Sequence, residues 1–164
     1  MKKFTIRIIV TQAMVAAIYA ALTLCLAPIS FGVVQFRVSE ALTILPFINP
    51  MCTIGLTIGC LVSNLVGGYG LLDIVFGSLA TMLAGLWTAK IKRSWFAPLP
   101  PVICNGIIVG ALLAWTNTSP AAFGAALFPI SAQLMAEEAA VCYLLGLPLL
   151  VLLRKSKLDR QLMR

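Results

Sequence analysis

The chain of 164 residues is 61% hydrophobic and only 10% charged, with a mean hydropathy of +1.03, a balance that excludes an ordinary soluble domain and makes the bilayer its solvent. Its net charge of +7 does not point to nucleic acid, because the basic residues gather beside apolar runs (Lys2, Lys3 and Arg7; Lys90, Lys92 and Arg93; Arg154 to Arg164) without interleaved aromatics or a nucleic-acid motif. The five cysteines, Cys25, Cys52, Cys60, Cys104 and Cys142, lie in apolar sequence with no CxxC spacing and no histidine in the chain, so they read as small hydrophobes, and no metal, cofactor or disulfide is expected.

The first predicted element is the apolar run 6–29. It begins like a secretory signal, yet it continues to Pro28, longer than a cleaved signal requires, and Leu24 before Cys25 spoils a lipoprotein site. It is read as a retained span. Ala13, Ala16, Ala17, Ala20 and Ala21 place small residues at i, i+4 spacing along it, suited to close approach by another helix inside or outside the bundle. The next apolar run, 41–66, cannot be one helix if the N-terminus and the 90–93 cluster share the cytoplasmic side, since an even number of crossings must separate them. Pro46, Asn49 and Pro50 supply the break. Residues 37–48 then form a short second helix of about 18 Å, of the interrupted kind that lines a cavity. A fourth helix over 71–89, a fifth over 100–116, an outer turn at Asn117 to Pro120 and a last span over 130–153 complete the expectation. The prediction is one all-α, polytopic domain over residues 1–164, with six transmembrane helices, a broken second and third helix pair, both termini cytoplasmic, and membrane lipid around its apolar faces.

With this topology, Arg37, Glu40, Asp73, Glu137 and Glu138 fall in the outer half of the membrane. Ionisable groups at that depth cost a few kcal/mol each and normally face a wet cavity or pair internally. Arg37 and Glu40, three residues apart, suit either role. Asp73 fits a ligand site or, more simply, the positive end of the fourth helix. Glu137 and Glu138 point about 100° apart, so one at most aims squarely at a central cavity. Four acids against one arginine make this region acidic, which implies a cationic solute.

Four strings in matching order, VQFRVSEALTILPF at 34–47, GLTIGCLVSNL at 55–65, GLLDIVFGSLATMLAG at 70–85 and EAAVCYLLGLPL at 138–149, resemble the QueT family. The resemblance implies the substrate-binding S component of an energy-coupling factor transporter, an ABC-type uptake system for queuosine precursors, and not an enzyme. It implies partners as well: a transmembrane coupling subunit docking on the small residues Ala13, Ala17 and Ala21, and two cytoplasmic ATPases, since no Walker motif occurs in the chain. The connection over 29–40 would close over the ligand as an outer lid. A deazaguanine presents two adjacent N–H donors that one carboxylate accepts in parallel. Glu138 is the expected reader, Glu40 would meet a ligand ammonium, and Trp115 or Tyr69 would stack on the ring, with Arg37, Asn64, Asp73 and Glu137 as further candidate contacts. The alternative is an ion-coupled secondary transporter of a small cationic solute, in which buried carboxylates carry protons. Such carriers often contain an internal repeat, and none is evident here.

Overall fold

The computed structural model describes residues 6–30, 35–68 and 70–156. Four of its helices are long and apolar enough to cross a membrane: α1 (Ile6–Cys25), α3 (Leu71–Thr88), α4 (Ser94–Asn117) and α5 (Phe123–Lys155). Between α1 and α3 lie two shorter apolar elements, a 3-10 helix over Val38–Phe47 and α2 over Cys52–Gly67. The expectation of six transmembrane helices is therefore corrected to four. The physical reason is length: ten residues of 3-10 helix reach about 20 Å and sixteen of α-helix about 24 Å, both short of a hydrocarbon core of about 30 Å. The last helix also begins earlier than the expected residue 130, running through Pro129 from Phe123. No strand occurs among the described residues.

The break expected around Pro46 to Pro50 is present as a turn. Pro46 sits near the end of the 3-10 helix, and the Asn49 side chain accepts the Met51 N–H at 3.0 Å, an Asx-type turn that satisfies one backbone donor while the chain reverses. At the far end of α2, Gly68 and Gly70 both adopt positive φ, 73° and 105°, conformations that glycine reaches without steric cost, and α3 starts four residues after the end of α2.

Glycines also set how closely the helices pack. A methyl group on Gly55 would lie 2.7 Å from the Gln12 carbonyl oxygen, and one on Gly59 would lie 2.8 Å from that of Ala16, so α1 and α2 run parallel in near backbone contact. Gly77 against Asn64 and Gly85 against Thr53 set α3 antiparallel to α2. Gly106 against Met135 and Gly110 against Ser131 do the same for α4 and α5. In the membrane, where apolar faces gain little from meeting each other, such small-residue contacts let dispersion and short polar contacts hold helices together. These directions bring Arg7, Lys90, Lys92, Arg93, Arg154 and Lys155 to one end of the bundle, where Arg154 lies over the Phe47 ring at 5.4 Å.

The surface is apolar and the interior holds much of the polar chemistry. Ile6 and Phe128 are each 79% exposed and many leucines and valines are exposed as well, while Gln12, Thr23, Ser39, Glu40, Asn64, Asn105, Glu137 and Glu138 are buried. That inversion of the soluble pattern is what a lipid-facing exterior demands, and it describes a multi-pass membrane protein.

Candidate functional site

The buried polar residues converge where α1, the 3-10 helix, α4 and α5 meet. Glu40 is 1% exposed. Its Oε1 accepts the Tyr19 hydroxyl and faces Arg37 Nη1 at 3.8 Å, while Oε2 is enclosed with no hydrogen-bond partner among the described residues. A buried carboxylate oxygen left unpaired is costly. Glu138, 3% exposed, accepts Asn105 Nδ2 at 2.9 Å and the Cys142 thiol at 3.7 Å, both on Oε1. Cys142 is shared, because it also reaches the Glu40 carbonyl oxygen at 3.6 Å and Thr43 Oγ1 at 3.8 Å. Arg37 interacts electrostatically with Glu40, Glu138 and Asp73. Two acids and one guanidinium thus form the charged heart of the bundle.

The local backbone explains why these groups face inward together. Asn105 opens a π-helical turn, Asn105–Val109, and Cys142 opens another, Cys142–Gly146. In the second, Pro148 has no N–H for the Leu144 carbonyl and its ring crowds that oxygen, which favours the wider turn. In α4, Gly106 and Gly110 allow Met135 and Ser131 to approach, and this register seats Asn105 beside Glu138. A cleft lined by Gln35, Arg37, Asn105, Val109, Leu134 and Glu138 encloses about 10 Å³, room for about one water molecule. A nucleobase enters only if its walls part.

The other expected contacts are distributed around this cluster. Glu137 does not share the cleft with Glu138: its Oε2 accepts the Gln35 backbone N–H at 2.9 Å and its Oε1 accepts Gln133 Nε2 at 2.8 Å, so it is buried between α5 and the segment before the 3-10 helix. Asn64 joins α2 to α3, donating to the Asp73 carbonyl at 3.0 Å and to Cys60 Sγ at 3.6 Å, with its Oδ1 enclosed and without a hydrogen-bond partner among the described residues. Asp73 is half-buried in the first turn of α3, where a carboxylate complements the helix dipole. Trp115 is 62% exposed near the end of α4 and packs edge-on against Phe123; the structure does not bring it to the cleft. Tyr69 lies outside the described residues, as do residues 31–34 of the expected lid. The alanine stripe divides: Ala16 meets Gly59 and Ala20 is buried, whereas Ala13, Ala17 and Ala21 are exposed along one face of α1. Of the cysteines, Cys52, Cys60 and Cys142 are buried and Cys25 is exposed. Sequence reasoning passed over Asn105 and Tyr19. Asn105 carried a usable signal as a lone amide within the apolar run 100–116; Tyr19 carried none, since tyrosine is common in membrane helices.

An apolar-surfaced helical bundle with an internal carboxylate and amide cluster is a multi-pass membrane protein built around a small polar site. A profile of the QueT transporter family matches residues 9–155. The chain belongs to the QueT transporter family, whose members are transporters and not enzymes. It is also similar to the queuosine precursor transporter QueT of Lactococcus lactis subsp. cremoris (strain MG1363), with 44% identity over 85 residues, 51% of this chain and 50% of the relative. The matched region thus spans about half the length of that curated protein. No solved structure matches the chain.

Proposed function

We propose that the chain is the substrate-binding S component of an energy-coupling factor transporter and that it takes up a queuosine precursor of the 7-deazaguanine type. The observation that carries this reading is the cleft between α4, α5 and the segment before the 3-10 helix, where Glu138 presents a buried carboxylate to a ligand's N–H donors. Family membership and the printed name of the Lactococcus relative support the ligand class. In this reading the basic end of the bundle is cytoplasmic, the cleft opens outward, and Glu40 Oε2 accepts an ammonium or amino group of the ligand. The exposed Ala13, Ala17 and Ala21 face docks a transmembrane coupling subunit, and two ATPases supply energy.

Calorimetric titration of purified protein with 7-deazaguanines tests the ligand half. Wild type binds; Glu138→Gln, which turns one acceptor into a donor facing a donor, binds about 100-fold more weakly; Glu137→Gln changes affinity far less; and adenine, with the wrong donor pattern, does not compete. Undiminished binding by Glu138→Gln, or equal binding of adenine, removes Glu138 as the reader. Affinity purification tests the assembly half: a copurifying coupling subunit and ATPases support it, whereas uptake by the chain alone that collapses with the proton gradient transfers the protein to the ion-coupled class.

A further inference from the structure

Glu138 has less capacity for ligand than a free carboxylate. A carboxylate oxygen offers about two lone-pair directions; at Oε1 one is taken by the Asn105 amide at 2.9 Å, and the other faces the Cys142 thiol at 3.7 Å, whose single hydrogen is shared with the Glu40 carbonyl oxygen. Oε1 is the oxygen engaged by Asn105, so a two-oxygen fork on Glu138 alone competes with that bond, and a ligand donor is better met by Oε2. A second acceptor beside it would relieve the competition.

Asn105 is placed to provide it. Its Nδ2 donates to Glu138 and the side chain also interacts with Glu40. A carboxylate accepts only a donor, so the NH2 end of the amide is turned toward the acids, and Oδ1 is the end left to accept from a ligand. Asn105 is 5% exposed and lines the same cleft as Glu138, so its carbonyl oxygen is the acceptor it can offer there. Its position follows from the close packing of Gly106 on Met135 and from the π-turn that starts at Asn105 itself.

We propose that Asn105 is a specificity-determining contact: Asn105 Oδ1 and Glu138 Oε2 together accept the two adjacent donors of the ligand, the ring N–H and the exocyclic amine. This rests on the deazaguanine reading of the cleft. An amide beside a carboxylate differs from a carboxylate alone, since each acceptor meets one donor and each can be disabled separately.

The test uses the full-length chain in detergent and three probes: 7-deazaguanine, 7-deazahypoxanthine, which lacks the amine, and 1-methyl-7-deazaguanine, which lacks the ring N–H. Wild type prefers the first over each of the others by about tenfold or more. Asn105→Ala reduces at least one of those preferences to within about threefold. Asn105→Gln, which keeps a donor for the carboxylates and so preserves the fold while moving the carbonyl by one methylene, loses the same preference. Both preferences persisting in the two variants, whether overall affinity is intact or uniformly weakened, overturns the role of Asn105 and leaves the Glu138 reading standing. Wild type that binds none of the probes overturns both.

Discussion

Gly59→Ala probes the contact that holds the polar cluster together. The added methyl would lie 2.8 Å from the Ala16 carbonyl oxygen and 2.9 Å from Tyr19 Cβ. Neither obstacle rotates away, since one is backbone and the other is the first atom of a side chain whose hydroxyl is tied to Glu40. Recovering an ordinary contact requires α1 and α2 to part by roughly half an ångström, and overpacking of this kind costs about 1–3 kcal/mol. Alanine offsets part of that cost through its higher helix propensity, by up to about 1 kcal/mol, so the useful quantity is a difference from a control. Gly124→Ala serves, because its methyl meets nothing within 4 Å near the start of α5. Equilibrium unfolding in mixed micelles should place Gly59→Ala about 1–3 kcal/mol below Gly124→Ala. A gap smaller than about 0.5 kcal/mol would refute the close approach of α1 and α2, and with it the placement of Tyr19 against Glu40.

Three further outcomes follow from the same geometry. Tyr19→Phe removes the hydroxyl that Glu40 Oε1 accepts and leaves a buried carboxylate whose Oε2 already lacks a hydrogen-bond partner among the described residues, so it should cost about 1–3 kcal/mol in the same micelles; wild-type stability would show that Arg37 satisfies Glu40 unaided. In a background with the native cysteines replaced, single cysteines at Ser94 and Ser156 should react with an impermeant thiol reagent only from the cytoplasmic side and one at Ser119 only from outside, and a cytoplasmic Ser119 would reverse the proposed orientation. Ala17→Trp, on the exposed face of α1, should abolish copurification of the coupling subunit while 7-deazaguanine binding by the isolated chain persists within about threefold; intact assembly would move the docking surface elsewhere.

Much of the fold was legible because membrane insertion writes itself in composition. The long apolar runs, the basic residues between them and the turn built by Pro46, Asn49 and Pro50 all have direct structural counterparts. The number of full crossings was not legible. Counting alternations treats every inward or outward segment as a span, yet Val38–Phe47 forms a tight 3-10 helix and Cys52–Gly67 stops at sixteen residues. Nothing in an apolar ten-residue string distinguishes a 3-10 helix inside a bundle from part of a crossing, because the difference arises from what packs around it: Glu40, Thr43 and Ala41 are held by Cys142 and Gly146 of α5. Parity survives the correction, since α1 and α3 still precede the 90–93 cluster and α4 and α5 follow it.

The site was legible as a set of charged residues and illegible as a set of pairs. Arg37, Glu40 and Glu138 stand out in apolar sequence, and their electrostatic cost alone predicts that they meet something. What they meet depends on registers between helices far apart in the chain, set by contacts such as Gly106 on Met135 that no spacing rule reveals. The same dependence separates Glu137 from Glu138. Adjacent in sequence, they face different partners: a backbone N–H and Gln133 for one, Asn105 and Cys142 for the other. A neutral amide such as Asn105 attracts less notice than an acid because it carries no charge to explain. Within a bundle it is as constrained, for an amide buried in hydrocarbon must place its donor and its acceptor separately. Once the donor end is committed to a carboxylate, as that of Asn105 is to Glu138, the carbonyl end must find a donor of its own, and the proposed ligand would supply it.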